Sequence, residues 1–266
     1  MPHTTTRTEP RTATVAACLL MAAPVLPGTP WFSLVVAAGL VASLVAAVRS
    51  RSTAGIRAVA VAAAVSAVFH VTILLDWPPA VRIALALVVV FGLPAGLGRL
   101  PSIGTASGRV EPGRLTWPLA ASVVVLIVGT TTALVSWARF TDPVLPGYIV
   151  AAKDSPLWQV ALAVIAFSLF NAALEEGLFR GVLLDEMATI WSVRAALIVQ
   201  GVAFGLFHFN GFPSGWTGMV MAGVWGYLLG VLRVRSGGLL LPYIAHIGAD
   251  ATIAVITVAG LSGTHW

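Results

Sequence analysis

The stretch Asn171-Ala172-Ala173-Leu174-Glu175-Glu176-Gly177-Leu178-Phe179-Arg180 sets two adjacent carboxylates and an arginine inside a run that is otherwise apolar from Leu157 onward. A charged side chain at the middle of a membrane helix costs roughly 2.5 to 3.5 kcal/mol on insertion scales, so such residues mark a function or a buried partner. On an α-helix Glu176 and Arg180 are i,i+4 neighbours and neutralise each other. Glu175 is left on the face it shares with Asn171 and Ser168. A polar stripe that ends in an unpaired carboxylate predicts a cavity inside a helical bundle.

The rest of the chain supports that setting. Of 266 residues, 58% are hydrophobic and only 9% charged, where soluble domains carry about a quarter charged. The expected fold class is therefore all-α, a polytopic transmembrane bundle. Apolar runs of spanning length occur at about 31–48, 56–75, 80–98, 116–137, 156–187, 191–209, 217–232 and 238–260. A shorter run at 12–26, closed by Pro24, Pro27 and Pro30, brings the expected count from eight spans to nine. Seven tryptophans (Trp31, Trp77, Trp117, Trp137, Trp158, Trp191 and Trp216) fall at span ends, as an interfacial belt requires.

Charge placement gives an orientation. With the N-terminus inside, Arg7, Arg11, Arg49, Arg51, Arg57, Arg99, Arg109, Arg114, Arg194, Arg233 and Arg235 are cytoplasmic, against Arg82, Arg139 and Lys153 outside. The net charge of +5 is scattered between apolar runs and forms no continuous basic face, so nucleic acid is not an expected partner. The lone Cys18 excludes an internal disulfide. His70 and Asp76 sit at a span end beside Trp77, Asp185 and Glu186 are expected in solvent at the cytoplasmic face, and His3 and His265 lie in tails. Composition divides the chain near residue 150. Residues 1–150 are bland spans of unassigned role, and residues 151–266 hold every intramembrane polar group of interest. The spacings Gly201/Gly205 and Gly226/Gly230 predict close helix approach in that second half.

Three polar elements recur there: Glu175, Glu176 and Arg180; Phe204 to His208; and His246 with Asp250 one turn on. At 1.5 Å rise per residue, Glu175 lies about 18 Å from the cytoplasmic end, His208 about 25 Å, His246 about 12 Å and Asp250 about 18 Å. All four fall in the middle zone of a hydrocarbon core about 30 Å thick, provided the helix continues past Arg180 towards Asp185 and Glu186. A glutamate, two imidazoles and a second carboxylate around a buried cavity suit water activation, with Glu as general base and imidazole N–H groups for a water or an oxyanion. The same groups could hold zinc, although the H-E-x-x-H signature is absent. They could also serve a proton-relay transporter, or a non-catalytic scaffold that keeps the pocket for a partner.

These elements resemble the E-E-x-x-x-R, F-x-x-x-H and H-x-x-x-(N/D) motifs of the CPBP family of intramembrane proteases, also called the CAAX prenyl endopeptidase or Abi family. Glu175, Glu176 and Arg180 fill the first motif, Phe204 and His208 the second, His246 and Asp250 the third. The resemblance covers about residues 150–266 and implies a metal-independent, cofactor-free glutamic endopeptidase acting on a protein or peptide substrate at the bilayer. In it Glu175 activates water, His208 helps to hold it, His246 and residue 250 form the oxyanion site, and Arg180 braces Glu176. The prenyl-protein enzymes resemble one another in having asparagine where this chain has Asp250. An ionised Asp250 cannot donate to an oxyanion, so it is either protonated or orients His246. The Ala/Val/Arg-rich composition suits a bacterial cell membrane, where the family is linked by resemblance to bacteriocin processing or self-immunity.

Overall fold

The computed structural model describes residues 30–100, 110–141, 143–145 and 147–261, together with Ala16 and Cys18. Among the described residues every regular element is helical. The elements are α1 (Pro30–Arg49), α2 (Thr53–Leu74), α3 (Pro79–Leu97), α4 (Trp117–Thr141), the single turn α5 (Gly147–Val150), α6 (Leu157–Ile190), α7 (Val193–Phe207), α8 (Gly215–Ser236) and α9 (Leu240–Leu261). Each apolar run from 31–48 to 238–260 is a helix. The expected run 12–26, the N-terminal arginines, His3 and His265 lie outside the described residues, apart from Ala16 and Cys18, which are helical. The chain is a multi-pass membrane protein: α2, α3, α4, α6, α8 and α9 are long and apolar enough to cross a bilayer.

Local chemistry sets the boundaries. Ser52 caps α2 by accepting from the Gly55 amide at 3.1 Å. Pro79 opens α3, where its missing N–H costs nothing. Gly237, at φ 70°, closes α8 in the left-handed conformation. Helix α6 runs unbroken for 34 residues, and its middle, Glu176–Leu183, is π-helical. Such widened turns concentrate at functional sites.

The break in composition near residue 150 is not a break in packing. Helix α3 lies along α6, α2 meets the last turns of α6, and α4 packs along α9. Two ion pairs fasten the end of the bundle where α6 finishes. Arg57 of α2 grips Glu186 through two bonds of 2.6 and 2.8 Å, and Arg233 of α8 meets Asp185 at 2.9 Å. Solvation of Asp185 and Glu186 was the expectation, and it is overturned: Glu186 is fully buried and Asp185 half-buried. Because α6 continues past Arg180, its end is carried in among arginines that terminate neighbouring helices. Trp137 is a second correction. It is buried edge-on against Phe212 at 5.2 Å instead of facing the interface, whereas Trp31, Trp77, Trp117, Trp158 and Trp216 are exposed at helix ends.

Helices α7 and α8 form the tightest pair. A Cβ added at Gly205 would stand 2.6 Å from the Met219 carbonyl oxygen, and one at Gly201 3.1 Å from that of Gly223. Backbone cannot yield as a side-chain tip can. Gly205→Leu is expected to cost at least about 1 to 3 kcal/mol, read as a lowered melting temperature in detergent. Gly92→Leu, whose added Cβ meets nothing within 4 Å, leaves it unchanged.

Candidate active site

The site is assembled from α6, α7 and α9. Helix α7 has only 15 residues, about 22 Å at 1.5 Å each and less than a full crossing. The expected span 191–209 therefore stops at His208, which takes the C-cap position. The chain then turns through 208–214 before α8. Irregular backbone at membrane depth is tolerated where it lines a cavity, and here it does. Two consequences follow. His208 is released from the helix barrel, and its Nδ1–H donates to the Phe204 carbonyl at 2.9 Å. Nε2 is then the free nitrogen, and it faces Glu175 Oε2 at 3.8 Å.

His246 is fixed from the other side. Its Nδ1 lies 2.6 Å from Glu176 Oε1, a charge-assisted contact in which the ring N–H donates. Its Nε2 is directed at Glu175 Oε2, 3.5 Å away, and at Asp250 Oδ1, 3.8 Å away. Both imidazoles thus present Nε2 to one carboxylate oxygen. That oxygen is buried and has no hydrogen-bond partner among the described residues. Asp250 receives an amide N–H from Asn171 at 3.5 Å, so the polar face of Asn171 and Glu175 on α6 meets α9.

Glu176 and Arg180 form a buttress. Arg180 is fully buried; Nη1 donates to Glu176 Oε1 at 2.9 Å and Nη2 to the Gly226 carbonyl at 3.1 Å. Its guanidinium lies over the Phe204 ring, 4.4 Å from the centroid, a cation–π contact in a desolvated place. The same ring sits 4.4 Å from that of His208. Phe204 therefore separates the arginine from the imidazole and supports both. Gly226 makes this possible, since a Cβ there would stand 2.8 Å from Phe204 Cβ. Gly177 likewise admits Phe91 of α3, whose ring would be 2.6 Å from an added Cβ.

All four candidate catalytic residues and the three supporting ones are thus brought into one neighbourhood. Three contributors were not named from sequence: the Asn171 amide as partner of Asp250, the Gly226 carbonyl, and the wall supplied by α4. That wall bounds a cavity of about 510 Å³ lined by His208, His246 and Asp250 at one side and elsewhere mainly by apolar residues of α4, α8, α9 and the turn before α8. The Gly226/Gly230 spacing pointed to the second of these. Nothing local pointed to α4.

Residues 156–252 match the family model described as type II CAAX prenyl endopeptidase Rce1-like. This segment is similar to that family. The match takes in Glu175, Glu176, Arg180, Phe204, His208, His246 and Asp250, and stops short of α4. The chain is also similar to the uncharacterized protein YpbD of Bacillus subtilis (strain 168), with 28% identity over 144 residues, 53% of this chain and 68% of that protein. No solved structure matches. Within the Rce1-like segment, and among all the described residues, no three His, Cys, Asp or Glu side chains are grouped as ligands for a metal ion.

Proposed function

We propose that this chain is an intramembrane endopeptidase of the bacterial cell membrane that hydrolyses peptide bonds with water activated by Glu175. The observation that carries the reading is the convergence of two imidazole Nε2 atoms, at 3.5 and 3.8 Å, on one buried carboxylate oxygen that makes no hydrogen bond among the described residues. Those gaps lie at and beyond the limit of a direct hydrogen bond, and neither imidazole bonds the oxygen, which leaves it to a shared water.

In this mechanism a water sits beside the Glu175 Oε2–His208 Nε2 pair, within hydrogen-bond reach of both. His208, with its proton committed to Phe204, accepts one O–H and aims the oxygen lone pair at the scissile carbonyl carbon. Glu175 takes the other proton as the C–O bond forms. The oxyanion then faces His246, whose Nδ1–H is held by Glu176 and whose protonated Nε2 donates to it. Collapse breaks the C–N bond, and Glu175 returns its proton to the leaving amine. Asp250, bonded by Asn171 and facing Nε2, orients His246 in place of donating to the oxyanion itself. The Rce1-like match supports a peptide as substrate, and the buried setting supports one presented at the bilayer.

A zinc-dependent reaction is the second reading, because histidines with Nδ1 fixed and Nε2 convergent resemble metal ligands. A reporter peptide in proteoliposomes separates the two. Glutamate-activated hydrolysis continues at an unchanged rate in a strong chelator. A zinc enzyme stops and resumes when zinc is restored. A scaffold or a proton-relay transporter cleaves under neither condition.

A further inference from the structure

The cavity beside the site has a wall from outside the Rce1-like segment. Val125, Gly129 and Ala133 line it from α4, at i, i+4 and i+8 on one helical face. Opposite them, Val220, Val224 and Leu228 of α8 repeat the same spacing. Val125, Val220 and Val224 are each more than half exposed, at 69%, 59% and 57%. The cavity therefore opens sideways between α4 and α8. Gly129 lies midway along α4, and 220–228 spans the middle of α8, so the mouth faces hydrocarbon. The slot is closed above and below. Val123 packs with Leu229 and Leu232 towards the end where α8 finishes, and Trp137 meets Phe212 at the other.

Gly129 is the narrowest residue on this wall, and a Cβ added there meets nothing within 4 Å. The neighbouring face of α4 is tied to α9 by the Thr131–Thr252 hydroxyl pair at 2.9 Å, so the helix is held while the Gly129 strip stays bare. We infer that this strip is a specificity subsite, which admits from the bilayer a large apolar side chain of a membrane-embedded polypeptide next to the bond being cut. The inference rests on the peptidase reading. Its occupant follows from the mouth, which excludes polar ligands, and from continuity of the cavity with His208 and His246, where a peptide bond would have to lie.

The test uses the full chain in proteoliposomes with two bilayer-embedded peptides that differ only in carrying Leu or Ala beside the scissile bond. Gly129→Leu lowers the Leu-over-Ala ratio of kcat/KM about tenfold or more, the scale set by methylene groups in an apolar pocket. Gly92→Leu, on the far helix α3, leaves the ratio as in wild type. An unchanged ratio in Gly129→Leu overturns the subsite. A benzophenone amino acid placed at position 125, at the rim of the mouth with Gly129 left bare, in the Glu175→Gln background gives a readout free of turnover. Crosslinking to the Leu peptide supports the subsite even if wild type cleaves nothing, in which case only the peptidase reading falls. Adducts with lipid acyl chains alone overturn the subsite and leave the peptidase reading standing.

Discussion

Glu175→Gln lowers cleavage of a membrane-embedded reporter by about 10²- to 10⁴-fold, the range for loss of a general base, while the protein stays folded. Gln keeps the volume of the side chain and cannot take a proton from water. The His246 donor that faces the oxyanion remains, so a residual rate above background is expected. Stability is the informative control. Glu175 Oε2 is buried and makes no hydrogen bond among the described residues, and groups placed for chemistry are commonly held at a cost in stability. The melting temperature of Glu175→Gln therefore equals or exceeds that of wild type. An active Gln variant would remove Glu175 from the mechanism, and an inactive one that is also unfolded would make the residue structural.

Arg180→Leu gives the opposite pattern, with stability lost first. The guanidinium is fully buried, bonded to Glu176 and to the Gly226 carbonyl, and covered by Phe204. Removing one member of a buried ion pair strands the other, at about 3 to 5 kcal/mol. Here the stranded carboxylate is also the one that holds His246 Nδ1. Arg180→Lys recovers only part of the loss, because an ammonium is a point charge and cannot match the fork that reaches both acceptors. Adding Glu176→Leu to Arg180→Leu removes the stranded charge and restores much of the melting temperature. Activity does not return, since His246 then lacks the carboxylate that holds its Nδ1. Recovery of both together would make the buttress purely structural.

The contrast between these two carboxylates shows which parts of the molecule local sequence could disclose. Glu175 stood out because nothing in its own helix could neutralise it. Glu176 read as an internal pair with Arg180, which is correct at 2.9 Å but incomplete, because its second partner, His246, lies 70 positions away. The eight apolar runs fixed the helices well, since hydrocarbon thickness leaves few alternatives. The end of α7 was different. An apolar run through 209 says nothing of a helix that stops at His208 so that the imidazole can turn back to Phe204. The π-helical turn at Glu176–Leu183 has no compositional signature either. Glu186 was placed in water because a charge at a helix end usually is. Its burial depends on Arg57, 129 positions earlier, and no local pattern records that. The bare strip on α4 was invisible for the same reason: a glycine in an apolar span acquires meaning only from what stands opposite.

Single-turnover cleavage in H₂¹⁸O, with a strong chelator present, tests the water-activation step most directly. Mass spectrometry of the products and of the protein should find one ¹⁸O in the new C-terminal carboxylate and none in Glu175. Label in the Glu175 side chain would show that the carboxylate attacks the peptide itself, and cleavage that ceases on chelation would show that a metal activates the water. Either result contradicts the account.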